Sequence, residues 1–266
     1  MVNTYTAAPD IDVLTSNFPI PGYGQVPINA FVIKGSEPIL VDTGAVVQNG
    51  AFMPALQSVI DPAELKWIWL THTDFDHMGS LQQLLAENPR IKVITTFLGV
   101  GIMGLSNPLP MDRVFLVNPG ETVAVGDRTL IAVRPPVFDN PSTTGFYDAT
   151  SGAFFSSDCF GALLSSDVPQ NAAELSDRDL RDGQVFWATV DSPWLHKVDR
   201  MALAGELDGI RKMAPNMVLS SHLPAAPGHM IERMLSSLVA APGAQPFVGP
   251  NQAALEQMLS GMTGGQ

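Results

Sequence analysis

Three features are scarce in this chain of 266 residues, and each scarcity excludes a class of protein. A single cysteine excludes an internal disulfide and any zinc site built from several thiolates. Only 14 basic residues stand against 26 acidic ones, and the formal charge of -12 argues against nucleic acid or an anionic membrane as the main partner. No uninterrupted apolar run is long enough to span a bilayer.

The remaining composition is that of a folded globular protein. Hydrophobic residues make up 45% of the chain, and 23 glycines and 22 prolines without a fixed period indicate many short elements separated by turns. The first residues lack a basic segment followed by an apolar run, so we expect no signal peptide and a cytoplasmic location. We expect one principal domain over residues 1–240, with residues 241–266 forming a helix and a Gly-rich tail that are part of it or appended to it.

Apolar patterns and turn residues predict strands followed by helices in each half of the chain. The predicted strands cover residues 30–34, 38–41, 66–70, 91–96, 113–117, 121–125, 129–133, 153–156 and 217–220. The predicted helices cover residues 52–59, 79–86, 198–213, 229–239 and 252–259. We expect the strands at 113–117, 121–125 and 129–133 to be antiparallel. This order favours two sheets packed face to face with helices outside.

The strongest functional signal is the segment Thr-His-Thr-Asp-Phe-Asp-His-Met-Gly at residues 71–79, which directly follows a predicted buried strand. His72, Asp74, Asp76 and His77 place two imidazoles and two carboxylates on one loop, and this donor set suits zinc, iron or manganese. The alternative is a polar loop in which Asp74 or Asp76 caps the following helix. Two histidines and two aspartates at this spacing favour the metal site.

This segment resembles the signature loop of the metallo-β-lactamase superfamily, His-x-His-x-Asp-His, with Asp74 where most hydrolases carry a second histidine. Asp42 in Val-Asp-Thr-Gly, Asp158 in Phe-Ser-Ser-Asp-Cys-Phe-Gly and His222 in Ser-Ser-His follow in the family's order. The resemblance covers about residues 25 to 235. It implies a mixed α/β fold, the four-layer αββα sandwich, with two metal ions at the sheet ends and Asp158 bridging them.

Within that superfamily the sequence most resembles the lactamase-like domain of flavodiiron proteins. That branch has a carboxylate at the position of Asp74 and an oxygen-handling diiron centre, and residues 136–148 also resemble it. The resemblance also implies that residues 185–193 form that branch's loop before the late helix. One departure is Asp139, which stands where the family has a metal-binding histidine; its alternative role is that of a turn residue beside Asn140. The resemblance implies a first metal held by His72, Asp74, Asp139 and Asp158, and a second held by Asp76, His77, Asp158 and His222.

This candidate ligand set contains four carboxylates and three imidazoles, which makes it harder and more anionic than the usual lactamase site. Harder oxygen donors favour iron or manganese over zinc, so we expect two iron ions, with zinc or manganese as alternatives. The negative charge would also stabilise ferric iron. We expect Asp42 to orient a ligand histidine rather than to bind metal itself.

Three functions are consistent with these residues. The first is diiron chemistry on O2 or NO, as a reductase or a sensor; we expect no FMN to bind this chain, so a reductase would need a separate electron-donor protein. The second is a hydrolase in which Asp76 is the catalytic residue and positions a metal-bound water for attack on an ester. The third is a non-enzymatic binding module, and the departure at Asp139 is its support.

The partners expected from the sequence follow from these functions. We expect an enzyme acting on a small molecule, either O2 or NO or a hydrolysable ester. We expect neither nucleic acid nor a membrane as partner. The helices after His222 are available for a homodimer interface, but no sequence feature specifies one.

Overall fold

The computed structural model describes residues 1–165 and 168–263 of the chain. Its strands are β1 (Asn3–Ala8), β2 (Ile11–Ile20), β3 (Gly24–Ile33), β4 (Ile39–Val41), β5 (Trp67–Trp69), β6 (Lys92–Thr95), β7 (Val114–Leu116), β8 (Thr122–Val125), β9 (Arg128–Val133), β10 (Gly145–Asp148), β11 (Ala153–Phe155), β12 (Met217–Leu219) and β13 (Ala226–Pro227). Its α-helices are α1 (Asn49–Val59), α2 (Leu81–Glu87), α3 (Phe97–Met103), α4 (Asp177–Asp191), α5 (Arg200–Met213), α6 (Ile231–Ala240) and α7 (Gln252–Thr263).

The strands form two sheets that pack face to face. The first has seven strands in the order β1 to β7, and the second has six in the order β13-β12-β11-β10-β9-β8. One buried cluster fills the space between the sheets, a second lies between the first sheet and α1 and α2, and a third lies between the second sheet and α4, α5 and α6. The four layers are therefore helices, sheet, sheet and helices, which confirms the predicted αββα sandwich.

The short central strands are apolar on both faces because each face meets a different core. In β5, Trp67 and Trp69 pack between the two sheets, whereas Ile68 points to the helices that cover the first sheet. In β11, Phe155 packs between the sheets and Phe154 faces the other helical layer. Successive side chains of a strand point to opposite faces, so neighbouring residues of these strands pack into different cores.

Parallel pairing in both sheets brings several strand ends to one edge of the sandwich. Strands β4, β5, β6 and β7 pair in parallel, and β11 pairs in parallel with β12. The carboxyl ends of parallel strands point the same way, and the loops that leave them are the usual place for a binding site in such sheets. The loops after β4, β5, β11 and β12 contain Asp42, residues 71–80, Asp158 and His222.

One predicted strand group is wrong in part. Residues 121–125 and 129–133 do form an antiparallel pair, β8 and β9, but Val114–Leu116 pairs in parallel with β6 in the other sheet. The helix α3, which the sequence analysis missed, carries the chain from β6 to β7 as a crossover connection. The turn at Gly120, where φ is +91°, then takes the chain from the first sheet to the second.

The interpretation of residues 185–193 as a loop is also wrong. The helix α4 has 15 residues and runs from Asp177 to Asp191. Ser176 is its N-cap, and the Ser176 hydroxyl accepts a hydrogen bond from the Asp179 backbone N–H. Its first half is strongly charged and exposed, so the residue pattern did not indicate a helix with an apolar face. None of the described helices is long and apolar enough to cross a membrane. The proposed division of the chain at residue 240 stays a prediction.

Candidate metal centre

The predicted ligands meet at the shared strand edge, with Asp158 in the middle. One carboxylate oxygen of Asp158, Oδ2, lies 3.6 Å from His72 Nε2. The other, Oδ1, lies 3.2 Å from His77 Nε2 and 3.4 Å from His222 Nε2. The two oxygens therefore face different imidazoles, which is the arrangement a carboxylate needs to bridge two ions.

Two groups of side chains lie on either side of Asp158. The first, which we call the histidine end, consists of Asp76, His77 and His222, and Asp76 Oδ2 is 3.5 Å from His77 Nε2 and 3.4 Å from His222 Nε2. Neither Asp76 nor its neighbour Asp74 caps the following helix, because the N-cap of α2 is Ser80.

The second group, which we call the acidic end, consists of His72, Asp74 and Asp139. His72 Nε2 lies 4.0 Å from Asp74 Oδ2 and 4.0 Å from Asp139 Oδ1. Within each end, one ligand atom from each of the three residues lies within 4.8 Å of the other two. The structure thus brings all seven predicted ligands into one site, and their ligand roles stay predictions.

Hydrogen bonds hold the rings of the histidine end. His77 Nδ1 lies 2.8 Å from Asp42 Oδ2, and Asp42 also accepts hydrogen bonds of 2.8 Å from the backbone N–H and the hydroxyl of Thr71. His222 Nδ1 lies 2.8 Å from the carbonyl oxygen of Pro27, to which it donates. Because Nδ1 is engaged in both rings, Nε2 is the nitrogen directed to the centre.

The ring at the acidic end is held more weakly. His72 Nδ1 lies 3.1 Å from the hydroxyl of Thr71 and 3.1 Å from the hydroxyl of Ser157. Ser157 and Asp42 both have left-handed backbone conformations, with φ of 52° and 56°. Non-glycine residues rarely adopt this conformation, and those that do cluster at functional sites.

The centre has the unsatisfied atoms that a bound metal would satisfy. Nε2 of His72, His77 and His222 and Oδ1 of Asp158 are all buried, and none has a hydrogen-bond partner among the described residues. Each unpaired buried polar atom costs roughly 1–3 kcal/mol, so four that converge on one place are unusual without a ligand. Neutral imidazole nitrogens and carboxylate oxygens are metal donors, and the residues present therefore fit two metal ions.

At the histidine end, the neighbouring carboxylates favour the protonated, positively charged form of both histidines. Burial acts to lower the pKa of His77, but the carboxylates of Asp76, Asp158 and Asp42 outweigh it and raise that pKa well above its usual value. Burial likewise opposes protonation of His222, and Asp158 and Asp76 raise its pKa to about 9. Without a metal, protons on these rings compensate the carboxylates of this end.

The acidic end has an excess of carboxylates over cations. Burial together with the charges of Asp158 and Asp74 raises the pKa of Asp139 to about 7. The one histidine of this end does not compensate, because burial and the neighbouring His77 lower the pKa of His72. A divalent cation would supply the missing positive charge.

Four residues outside the predicted ligand set shape the site. Asn140 Nδ2 donates to Asp74 Oδ1 at 2.7 Å, and the Ser157 hydroxyl contacts His72. The indole ring of Trp187 lies with its centroid 4.7 Å from that of His222. Asp191 has one carboxylate oxygen within 4.8 Å of oxygens of Asp139 and Asp158. The last two lie on α4, and Asp191 could not be predicted to reach the site while that segment was interpreted as a loop.

Residues 26–222 of the chain match a family model described as the ODP family beta lactamase. The chain belongs to this family. The match spans the segments that contain Asp42, the 71–79 loop, Asp158 and His222. The resemblance to the metallo-β-lactamase superfamily, on which the fold expectation rested, is thereby confirmed.

Curated relatives of this ODP-family chain include proteins named for flavin or nitric oxide chemistry. An uncharacterized protein of Methanocaldococcus jannaschii is 23% identical over 75% of this chain and 49% of its own length. Diflavin flavoprotein A 1 of Synechocystis is 29% identical over 53% of this chain and 24% of its own length. The anaerobic nitric oxide reductase flavorubredoxin of Salmonella typhi is 28% identical over 50% of this chain and 28% of its own length. The chain spans about half or less of the length of these relatives.

Solved structures similar to the ODP-family chain include flavodiiron proteins. A mutant of the flavo di-iron protein from Thermotoga maritima superposes with a TM-score of 0.80 at 20% identity, covering 94% of this chain and 64% of that one. Rubredoxin oxygen:oxidoreductase from Desulfovibrio gigas superposes with a TM-score of 0.78 at 18% identity, covering 92% and 63%. The resemblance to the lactamase-like domain of flavodiiron proteins is confirmed at the level of the fold.

Proposed function

We propose that the chain binds two iron ions and uses them in chemistry on O2 or NO. His72, Asp74, Asp139 and Asp158 would hold one ion at the acidic end. Asp76, His77, Asp158 and His222 would hold the other at the histidine end. The observation that carries the proposal is the convergence of four buried, unpaired donor atoms on one centre. When bound, the two ions would supply the redox chemistry that amino-acid side chains lack.

The donor set supports iron over zinc. Seven side chains supply carboxylate oxygens and imidazole nitrogens, with no thiolate, since the single cysteine is buried at residue 159 beside the site. Carboxylates are hard donors, and an anionic set lowers the free energy of the ferric state relative to the ferrous one. A site with four carboxylates therefore suits an ion that must cycle between these two states.

The surroundings of Asp76 support a small uncharged substrate. Asp76 lines a shallow cavity of about 290 Å³ whose other walls are Phe18, Ile28, Ala45, Val46, Val47 and Phe75. No basic side chain lines this described cavity, so it offers no partner for a phosphate or carboxylate group. Apolar walls accept O2 or NO without desolvating a charge.

The roles of the chain's own residues follow from their contacts. Asp42 and the Pro27 carbonyl would hold His77 and His222 in the orientation that presents Nε2 to the centre. Asn140 would hold Asp74 through its hydrogen bond of 2.7 Å. Reduction of O2 or NO needs electrons, and we propose that a separate donor protein supplies them; a sensor would need none.

The test is metal analysis of protein purified without added metal, with absorption spectra recorded under argon and after exposure to air. We expect about two iron atoms per chain, a near-ultraviolet band that appears on oxidation, and a change in the spectrum of the reduced protein when NO is added. Protein with the substitution Asp158→Ala provides the control and should show none of these bands. Two zinc atoms per chain and a featureless spectrum would overturn the proposal.

A hydrolase is the second candidate, and the position of Asp76 favours it. The side chain of Asp76 is 35% exposed and borders the cavity, whereas the other residues of the histidine end are buried. In this role Asp76 would accept a proton from the attacking water. The zinc-loaded protein would then cleave ester or thioester substrates, and Asp76→Asn would abolish turnover without removing both metals. A zinc-loaded protein that cleaves none of these substrates would exclude this function.

A further inference from the structure

Asp191 is the last residue of α4, and it approaches the metal centre from the helical layer that covers the second sheet. One of its carboxylate oxygens lies within 4.8 Å of one oxygen of Asp139 and one of Asp158. These three residues come from three separate segments of the chain, namely the loop after β9, the loop after β11 and the end of α4. The fold therefore brings a further carboxylate to the acidic end, beside the two that Asp139 and Asp158 already supply.

The three carboxylates lie together without a lysine or arginine side chain to balance them. Among the described residues, no lysine or arginine nitrogen lies within 4.0 Å of a carboxylate oxygen of Asp139, Asp158 or Asp191, although such pairs occur elsewhere in the chain. Asp158 is almost fully buried, and its Oδ1 has no hydrogen-bond partner within residues 1–165 and 168–263. Ionised carboxylates at this separation repel each other, and a bound cation would relieve that repulsion.

The contacts of Asp191 within the protein do not account for its position. Its Oδ2 accepts a hydrogen bond of 3.2 Å from the hydroxyl of the neighbouring Ser192, which is long for a hydrogen bond of this type. The capping carboxylate of a helix lies at its N-terminus, and a negative charge at the C-terminus of a helix is unfavourable to the helix dipole. Asp191 lies at the C-terminus of α4, so its charge acts against the helix that carries it.

The acidic end has room for another donor. His72 is its one histidine, and its Nε2 lies 4.0 Å from the oxygens of both Asp74 and Asp139. With the shared Asp158, these residues give the acidic end four proposed ligands. Iron and manganese accept more than four ligands, most of them oxygen atoms or imidazole nitrogens.

We propose that Asp191 is a further ligand of the metal ion at the acidic end, where it acts with Asp139 as a carboxylate pair. The inference rests on the proposed function, because it needs a metal at this end. The pair makes the acidic end selective for a hard divalent or trivalent ion such as Mn²⁺, Fe²⁺ or Fe³⁺ over Zn²⁺. The histidine end is unchanged by it, because Asp76, His77 and His222 lie on the other side of Asp158.

The experiment compares metal binding by the full chain with Asp191 or with Asp191→Asn, which removes the charge and keeps the shape. Metal-free protein is titrated with Mn²⁺ under argon by calorimetry, and the binding is repeated with Fe²⁺. We expect the wild-type chain to show two binding events. In Asp191→Asn, the affinity of one of these events should fall roughly ten- to hundredfold. Asp191→Glu keeps a carboxylate and should retain both events. The charge-matched control is Glu206→Gln on the exposed face of α5, which should bind as the wild type does.

Thermal unfolding separates a metal ligand from a residue that merely supports the helix. If Asp191 is a ligand in a cluster of repelling carboxylates, Asp191→Asn should leave the melting temperature of the metal-free protein unchanged or raise it. The increase in melting temperature on adding Mn²⁺ should become smaller. Equal affinities of wild type and variant at both sites would overturn the inference, as would a melting temperature lowered by the same amount with and without metal. If Asp191→Asn does not fold, Asp191→Glu is the test. The inference would be overturned if Asp191→Glu showed only one binding event.

Failure of this inference can be told apart from failure of the proposed function. His222→Ala alters the histidine end and should weaken the other of the two binding events. If the wild-type chain binds two ions and only Asp191→Asn is without effect, Asp191 is not a ligand and the proposed metal centre stands. If the wild-type chain binds no ion, the proposed function and the role of Asp191 both fail.

Discussion

The two ends of the metal centre differ in how firmly the protein holds them. At the histidine end, His77 and His222 are buried, and hydrogen bonds of 2.8 Å fix both rings. At the acidic end, the side chain of Asp74 is 42% exposed and that of Asp139 is 22% exposed, and His72 is held by two contacts of 3.1 Å. The histidine end is preorganised, whereas the acidic end can adjust to its ion.

This difference has a consequence for metal choice. A rigid set with two imidazoles binds many divalent metals well, and its affinity follows the general order of the first-row ions. A more open set of carboxylates selects hard ions through its charge and its number of oxygens. We therefore expect the acidic end to decide whether the centre contains iron or zinc.

The largest effect is expected from Asp158→Ala, which removes the residue that both ends share. Its two oxygens face His72 on one side and His77 and His222 on the other, so its loss should abolish the distinction between the ends. We expect the metal content to fall from two ions per chain to fewer than one, measured by elemental analysis after gel filtration. A variant that retains both ions would show that Asp158 does not bridge them.

The next largest effect should come from Asp42→Asn, which acts on the histidine end alone. The buried Asp42 carboxylate fixes His77 Nδ1 and accepts two hydrogen bonds from Thr71. We expect the affinity of one site to fall roughly ten- to hundredfold and the free energy of unfolding of the metal-free chain to fall by about 1–3 kcal/mol.

Calorimetric metal titration and urea unfolding measure these two effects of Asp42→Asn. The matched control is Asp182→Asn, an exposed carboxylate on α4 that pairs with Arg178. Equal loss at both metal sites would contradict the separation of the two ends.

A smaller effect is expected from Asp139→His, which would make the acidic end resemble the histidine end. The substitution exchanges a hard oxygen donor for an imidazole and removes one negative charge. We expect the ratio of zinc to iron affinity at that end to rise by about tenfold, because softer nitrogen donors favour zinc. Competition between Zn²⁺ and Fe²⁺ under argon measures this ratio, and an unchanged ratio would mean that Asp139 is a turn residue and not a ligand.

The smallest effect is the pH dependence of the metal-free protein. Folding raises the pKa of Asp139 to about 7 and that of Asp191 to about 8, from an ordinary 3.8, and that of His222 to about 9 from 6.5. A group with a raised pKa binds its proton more tightly when folded, so it stabilises the fold fully below its unfolded pKa. That stabilisation is lost as the pH rises through the folded pKa.

The melting temperature of the metal-free chain should therefore decrease between about pH 5 and about pH 9. The metal-loaded chain should show a much smaller decrease, since the ions replace these protons. Thermal unfolding monitored by circular dichroism at several pH values checks this. A metal-free chain that becomes more stable over this range would show that the carboxylates are not crowded in solution.

Much of the site could be predicted from sequence because its ligands lie beside strong local patterns. The 71–79 segment directly follows the buried strand Trp67–Trp69, so its side chains had to emerge at a sheet edge. Asp42, Asp158 and His222 follow short apolar strands in the same way. An apolar strand followed by a polar residue is a pattern of neighbouring residues, so it can be recognised without knowing the tertiary structure.

The missed parts depend on contacts between distant segments. Val114–Leu116 has the composition of a strand, but its partner is set by the crossover through α3. Asp191 and Trp187 reach the centre only because α4 packs on the second sheet, and the charged first half of α4 resembles a solvated loop. Neither fact is encoded in a spacing between neighbouring residues.

The order of residues along the chain specifies the composition of the centre, namely histidines and aspartates without thiolates. It also specifies the two-sheet fold that brings the strand ends together. The tertiary structure decided how these side chains divide. Packing of the two sheets buries His77 and His222 against Asp42 and Pro27, and leaves Asp74 and Asp139 at the more open side. The physical reason is that burial and hydrogen bonding depend on which surfaces meet in three dimensions, whereas a residue pattern specifies only which surfaces each strand can offer.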